Sequence, residues 1–130
     1  MTIWINSDLA LAIHKLQIAE HGGGDGVRDL GLLESALARP RNLAAYQPDS
    51  DIAALASAYG FGIIKNHPFV DGNKRTGYVV METFLVLSGY TLKASEEEKY
   101  PIVIALADGT LTENELSSWL RERLSAEKRV

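Results

Sequence analysis

The stretch Lys74-Arg75-Thr76-Gly77-Tyr78-Val79-Val80-Met81-Glu82-Thr83-Phe84-Leu85-Val86-Leu87-Ser88 decides the fold. Gly77, Val80, Met81, Phe84 and Leu87 form one stripe at helical spacing, and Val79, Leu85 and Val86 fill most of the remaining circumference. A helix apolar nearly all round must be covered by other elements, so residues 74–88 or thereabouts are expected to be the buried centre of a domain. Gly89 closes this helix, and Tyr90-Thr91-Leu92 reads as a short extended piece at best.

The segments on either side also read as helices. Ser50 and Asp51 are good capping residues for a helix with Ile52, Leu55, Ala56, Tyr59 and Ile63 along one side. That helix carries Gly60 and Gly62, each costing about 1 kcal/mol against alanine. The cost is tolerable where another backbone comes close. Leu30, Leu33, Ala36 and Leu37 mark a shorter helix that Pro40 is expected to end, because its ring disfavours α geometry at Arg39. Ser7 and Asp8 should open the first helix, with Leu9, Ala12, Ile13, Leu16 and Ala19 turned inward, and the Gly22–Gly26 cluster should stop it near His21. On the C-terminal side, Pro101 suits the first turn of a helix reaching about Ala107. Thr112 with Glu115 makes a capping box for a helix through Leu116, Trp119, Leu120 and Leu124. Glu96-Glu97-Glu98 reads as a solvated face. The fold class is therefore all-α: a bundle around one central helix, with residues 1–130 as a single domain.

Composition narrows the chemistry. The chain has 130 residues, 46% of them hydrophobic, which suits one domain with one core. Thirteen Lys+Arg against seventeen Asp+Glu leave a net charge of −4, which argues against bulk nucleic acid or an anionic membrane as a partner. The absence of cysteine excludes disulfides, thiolate catalysis and cysteine-rich zinc sites, leaving His14, His21 and His67 as the imidazoles. His14 and His21 lie two turns apart on the first helix, too far for one metal, and read as ordinary helix positions. The N-terminus lacks a basic leader, and no uncharged apolar run approaches the roughly 18 residues of a membrane span, so a cytoplasmic location is expected. Gly22–Gly26 has no Gly-Lys-(Ser/Thr) after it and no strand before it, so it reads as a helix stop and not as a nucleotide loop.

The chemistry concentrates in His67-Pro68-Phe69-Val70-Asp71-Gly72-Asn73-Lys74-Arg75. A helix N-terminus offers free N–H groups and the positive end of the dipole, and a glycine there lets a phosphate approach without Cβ interference. Lys74 and Arg75 add full charges, which oppose the helix dipole unless an anion is bound. Asp71 alone would repel that anion, and makes sense chiefly as a ligand of Mg²⁺ held between carboxylate and phosphate. Imidazole, which titrates at about pH 6.5 in small peptides, suits His67 to take a proton from an attacking hydroxyl.

This segment resembles the signature of the Fic/Doc superfamily, His-x-Phe-x-(Asp/Glu)-(Gly/Ala)-Asn-x-Arg, matched at His67, Phe69, Asp71, Gly72, Asn73 and Arg75. The turn at residues 21–23, Gly26-Val27-Arg28-Asp29, the run from Leu32 to Pro40 and the chain length are similar to the small death-on-curing (Doc) toxins of toxin–antitoxin modules. The resemblance implies the Fic fold, with His67 as catalytic base, Asp71 as the Mg²⁺ residue, and Gly72, Asn73, Lys74 and Arg75 as the loop that cradles the phosphates of ATP. Fic enzymes that transfer AMP carry a second glycine where this chain has Lys74, and a second arginine where it has Tyr78. Both differences are Doc-like and imply a protein kinase acting on a threonine or serine of a translation factor, elongation factor Tu by resemblance, with a cognate antitoxin as partner. An AMP transferase of the same fold and a non-catalytic binding partner of an antitoxin are the alternatives. The inhibitory pattern (Ser/Thr)-x-x-x-Glu-(Gly/Asn) has its nearest match at Ser118 to Glu122, but Arg123 follows, so inhibition in trans is expected.

Overall fold

Short polar side chains start most of the helices. In the computed structural model, which describes residues 2–127, α1 (Ser7–His21) begins where the Asn6 side chain accepts the Leu9 N–H. Asp29 does the same for α2 (Leu30–Tyr46) and Asp51 for α3 (Ile52–Asn66). α4 (Asn73–Leu87) follows Gly72 with no side-chain cap. α5 (Glu96–Asp108) and α6 (Glu113–Arg123) both open on capping boxes, Ser95 with Glu98 and Thr112 with Glu115. A two-stranded antiparallel ribbon joins β1 (Tyr90–Leu92) to β2 (Leu124–Ala126), with Tyr90 opposite Ala126. The all-α bundle expected from the periodicity is present.

α3 and α4 share the centre. α3 packs against α2, α4, α5 and α6, while α4 also meets α1, α5 and β1. Val80, Met81 and Phe84 of α4 are fully buried, with Phe84 against Tyr59 (ring centroids 4.9 Å apart) and Trp4 (6.0 Å). The last turn of α4 opens to solvent, where Val86 is 59% exposed. The helix glycines are explained by the close approach anticipated for them. A Cβ on Gly77 would fall 2.8 Å from Ile64 Cγ1 and 3.2 Å from the Gly60 carbonyl oxygen, and one on Gly62 would lie 3.4 Å from the Ala36 backbone. α3 is thus pressed backbone to backbone between α4 and α2.

Four boundaries or faces differ from the expectations. α2 runs through Pro40 to Tyr46. A proline removes its own N–H bond and crowds the preceding turn, but Leu37 and Pro40 are buried and Leu43 and Ala44 are partly so, and this continuing apolar stripe holds the helix on both sides. α5 begins at Glu96, five residues before Pro101, because Ser95 and Glu98 form a capping box; the three glutamates of this run are exposed, the solvated face expected of them. Leu124 ends α6 and enters β2. α1 is capped by Asn6, and its inward face is Ala10, Ile13, His14 and Gln17. Ala12, Leu16 and Ala19 are exposed. A stripe chosen by hydrophobicity passes over a buried histidine that has a hydrogen-bond partner.

Candidate active site at the start of α4

α3 ends on His67, whose backbone is left-handed (φ 52°, ψ 53°) and whose N–H donates to the Ile63 carbonyl at 3.0 Å. Among the described residues it is the one non-glycine with positive φ, a conformation that costs of order 1 kcal/mol and persists where surrounding contacts impose it. The chain then dips inward, burying Phe69 completely. Asn73 fixes this dip: its Oδ1 accepts the Phe69 N–H at 2.9 Å and its Nδ2 donates to the Phe69 carbonyl at 3.0 Å. With the side chain buried and both polar atoms used, Asn73 serves as the clasp of the loop, and only its N–H remains for a ligand. Gly72 is left-handed (φ 75°), and the first bond of α4 runs from Thr76 N–H to the Gly72 carbonyl at 2.9 Å. The N–H groups of Asn73, Lys74 and Arg75 therefore have no acceptor inside the helix.

Two segments far off in sequence support this turn. His14 of α1 is 2% exposed, lies parallel on Phe69 (centroids 4.0 Å, planes 5°) and places Nε2 2.8 Å from the Asp71 carbonyl oxygen. As the donor to that oxygen it fixes the peptide from which Gly72 and α4 depart. The glycine cluster folds over the other side. Gly22 ends α1, its N–H bonded to the Ile18 carbonyl at 2.7 Å, but Gly23 and Gly24 do more than stop a helix. A Cβ on Gly23 would fall 2.6 Å from Asp71 Oδ2, and the Gly24 N–H donates to that oxygen at 3.3 Å. Asp71 Oδ1 accepts the Gly72 N–H at 2.7 Å. These two N–H groups, Gly72 first, hold the Asp71 carboxyl below the usual range against the opposing effect of burial, helped by the charge of Arg75.

Next, Gly26 and Val27 pair with the signature loop: Val70 N–H donates to the Gly26 carbonyl at 3.0 Å, and Val27 bridges Phe69. Arg28 follows. Its N–H donates to the Pro68 carbonyl at 2.7 Å, its Nε to the His67 carbonyl at 2.8 Å and its Nη2 to the Asn66 carbonyl at 3.1 Å.

A cleft of about 790 Å³ opens above the start of α4, between the end of α1 and α5. His67, Asp71, Gly72, Asn73, Lys74 and Arg75, the six residues singled out in the sequence, all line it. His21 and Glu20 form part of its α1 wall; Lys99, Tyr100 and Ile104 belong to its α5 wall. His67, Lys74 and Arg75 are exposed, and Tyr78 is buried below them. Burial, then the neighbouring Glu82 carboxylate, pushes the Tyr78 hydroxyl well above its ordinary range, so this side chain brings no charge to the cleft. Glu82 is instead paired with Lys99 at 2.9 Å. Glu122, the nearest match to an inhibitory glutamate, lies on a separate shallow depression beside Trp119 and Arg123. His14, Gly24 and Arg28 were not singled out for the site, although Arg28 lies in a stretch that resembles the Doc toxins: each acts through a partner 38 to 57 positions away.

The model of the Fic/DOC family matches residues 4–85, a span that contains the whole loop from His67 to Arg75. The chain is similar to Toxin Doc of Mycolicibacterium smegmatis, with 43% identity over 77 residues, covering 56% of this chain and 57% of that protein. It is also similar to Protein kinase doc of Escherichia phage P1, with 26% identity over 117 residues, covering 90% and 92%. The family match over more than half of the chain, from α1 through the loop into α4, makes this chain a member of the Fic/DOC family.

Proposed function

We propose that this chain is a Doc-type toxin that transfers the γ-phosphate of ATP to a threonine or serine hydroxyl of a translation factor, elongation factor Tu by resemblance, and so arrests translation. The observation that carries the reading is the mouth of α4: three N–H groups without intrahelical acceptors and two exposed cations, on one cleft with an exposed imidazole. His67 takes the proton of the attacking hydroxyl, whose oxygen forms the new bond to the γ-phosphorus as the bond to the leaving ADP oxygen breaks. The N–H groups of Asn73, Lys74 and Arg75, with the side chains of Lys74 and Arg75, hold the phosphate oxygens and offset their charge, as positioning and neutralisation do in phosphoryl transfer generally. The donor set suits Mg²⁺. Asp71 is an exposed, ionised hard-oxygen ligand, each of its oxygens accepting one N–H and keeping a lone pair to spare. When bound there, Mg²⁺ would neutralise phosphate charge.

Two features favour kinase chemistry over AMP transfer. Lys74 fills with a charged side chain the place where AMP-transferring relatives have glycine, and Tyr78 leaves buried and uncharged the place where they carry an arginine. A cognate antitoxin is the expected restraint, and the exposed apolar side chains of Tyr100 and Ile104 on the cleft wall suit a folded antitoxin segment. A translation-factor target implies a cytoplasmic location. No helix among the described residues is long and apolar enough to cross a membrane.

The test is to incubate the protein with ATP, Mg²⁺ and elongation factor Tu and to weigh the product. A phosphate-sized gain supports the reading, and the much heavier AMP adduct in its place establishes AMP transfer. Growth arrest by His67→Ala equal to that by the parent would support the non-catalytic alternative.

A further inference from the structure

We infer that Arg28 is a positioning residue that keeps the catalytic base in place by capping the end of α3. His67 has a left-handed backbone, uncommon for any residue with a side chain. The turn places it on the cleft at the junction between α3 and the phosphate loop. The last carbonyls of a helix lack intrahelical donors and carry the negative end of its dipole. Here the Asn66 and His67 carbonyls both receive the Arg28 guanidinium, at 3.1 and 2.8 Å, and the Pro68 carbonyl receives its backbone N–H at 2.7 Å. One residue thus grips three successive carbonyls around the left-handed turn. The planar fork of a guanidinium can hold two acceptors at fixed separation, which an ammonium does not do.

The surroundings keep Arg28 itself in register. Asp29 N–H also donates to the Pro68 carbonyl, at 3.0 Å, and the Asp29 side chain caps α2. Asn66 Nδ2 donates to the Leu32 carbonyl at 2.9 Å. The start of α2 and the end of α3 are therefore tied together, with Arg28 at the tie facing His67. Arg28 is exposed and is not among the residues lining the cleft, so it acts through the backbone of His67 and not on a substrate. Without it, the His67 turn loses its two charge-assisted bonds and relaxes, swinging the imidazole away from the point of attack. The phosphate loop, held separately by Asn73 and His14, stays as it is.

The kinetic part of this inference rests on the functional reading above; the conformational part does not. Transfer to elongation factor Tu is measured for the parent, Arg28→Ala and Arg28→Lys. Both variants should lose kcat by about tenfold or more while KM for ATP stays within about twofold. Ethylguanidine in solution should restore part of the Arg28→Ala rate and leave the parent unchanged. The backbone chemical shifts of His67 in Arg28→Ala should leave left-handed values while those of Gly72 and Asn73 persist. A kcat within about twofold of the parent, a KM that rises as much as kcat falls, or a His67 that remains left-handed would each overturn the role. If the parent moves no phosphate, the functional reading fails and the chemical shifts still decide on Arg28.

Discussion

The N-termini of α3 and α4 lie at opposite ends of one buried helix pair and are built from opposite materials. At the start of α3, Asp51 accepts the Ala54 N–H at 2.9 Å and pairs with Arg121 through two bonds of 2.6 and 3.1 Å, so the dipole meets a negative charge. At the start of α4 there is a left-handed glycine, no cap, and Lys74 and Arg75. The first arrangement satisfies the helix from within the chain. The second leaves it unsatisfied, at a cost in stability that an anionic ligand would offset. A helix start poor in self-satisfaction but firmly held from below, by Asn73 and by His14, is one shaped for a ligand.

Substitutions at the two ends should therefore separate activity from stability. The largest effect is expected for His67→Ala, which should lower phosphate transfer by about 10²–10⁴-fold, the range of general-base catalysis, with the thermal midpoint unchanged within about a degree; transfer assays and melting curves check both. Arg75→Ala should weaken ATP binding by roughly 10–100-fold, the loss of one or two charge-assisted hydrogen bonds, and should raise the melting temperature of the free protein slightly by removing a cation from the positive end of α4. Calorimetric titration and melting without nucleotide measure the two. Gly72→Ala should cost about 1–2 kcal/mol of stability, because φ is 75° there and the new Cβ would lie 3.2 Å from Ile18 Cδ1; denaturant unfolding reads this directly.

At the other end, Asp51→Ala should lower stability by about 1 kcal/mol, the usual worth of a cap, and leave transfer untouched. Its pH signature follows from the pairing. The hydrogen bond from Arg121, ahead of the other causes, holds the Asp51 carboxyl below its ordinary 3.8. A folded-state value lower than the unfolded one contributes stability at pH above the unfolded value and loses it as pH falls through the folded value. The parent should thus lose more stability than Asp51→Ala on acidification below about pH 4, by a small margin because the pair is about half exposed. Equal acid sensitivity in the two would remove Asp51 from the comparison.

What the sequence disclosed divides along the same line. The loop from His67 to Arg75 was legible because its chemistry is contiguous: imidazole, carboxylate, glycine and cations occupy nine consecutive positions at a helix boundary. The helices and their glycine contacts were legible because period and composition agree. His14 was misjudged because burial of a histidine depends on an acceptor, the Asp71 carbonyl, that only the tertiary fold supplies. Gly23 and Gly24 read as a helix stop for the same reason, since the carboxylate they accommodate lies 47 positions on from Gly24. The two proline boundaries failed through local rules overruled by packing at Pro40 and by an overlooked capping box at Ser95.

The most direct test of the unsatisfied helix mouth is a crystal structure of the parent with Mg²⁺ and a non-hydrolysable ATP analogue. The γ-phosphate should lie on the N–H groups of Asn73, Lys74 and Arg75, as the phosphate nearest His67. An α-phosphate nearest His67, or a nucleotide bound away from the start of α4, would contradict it.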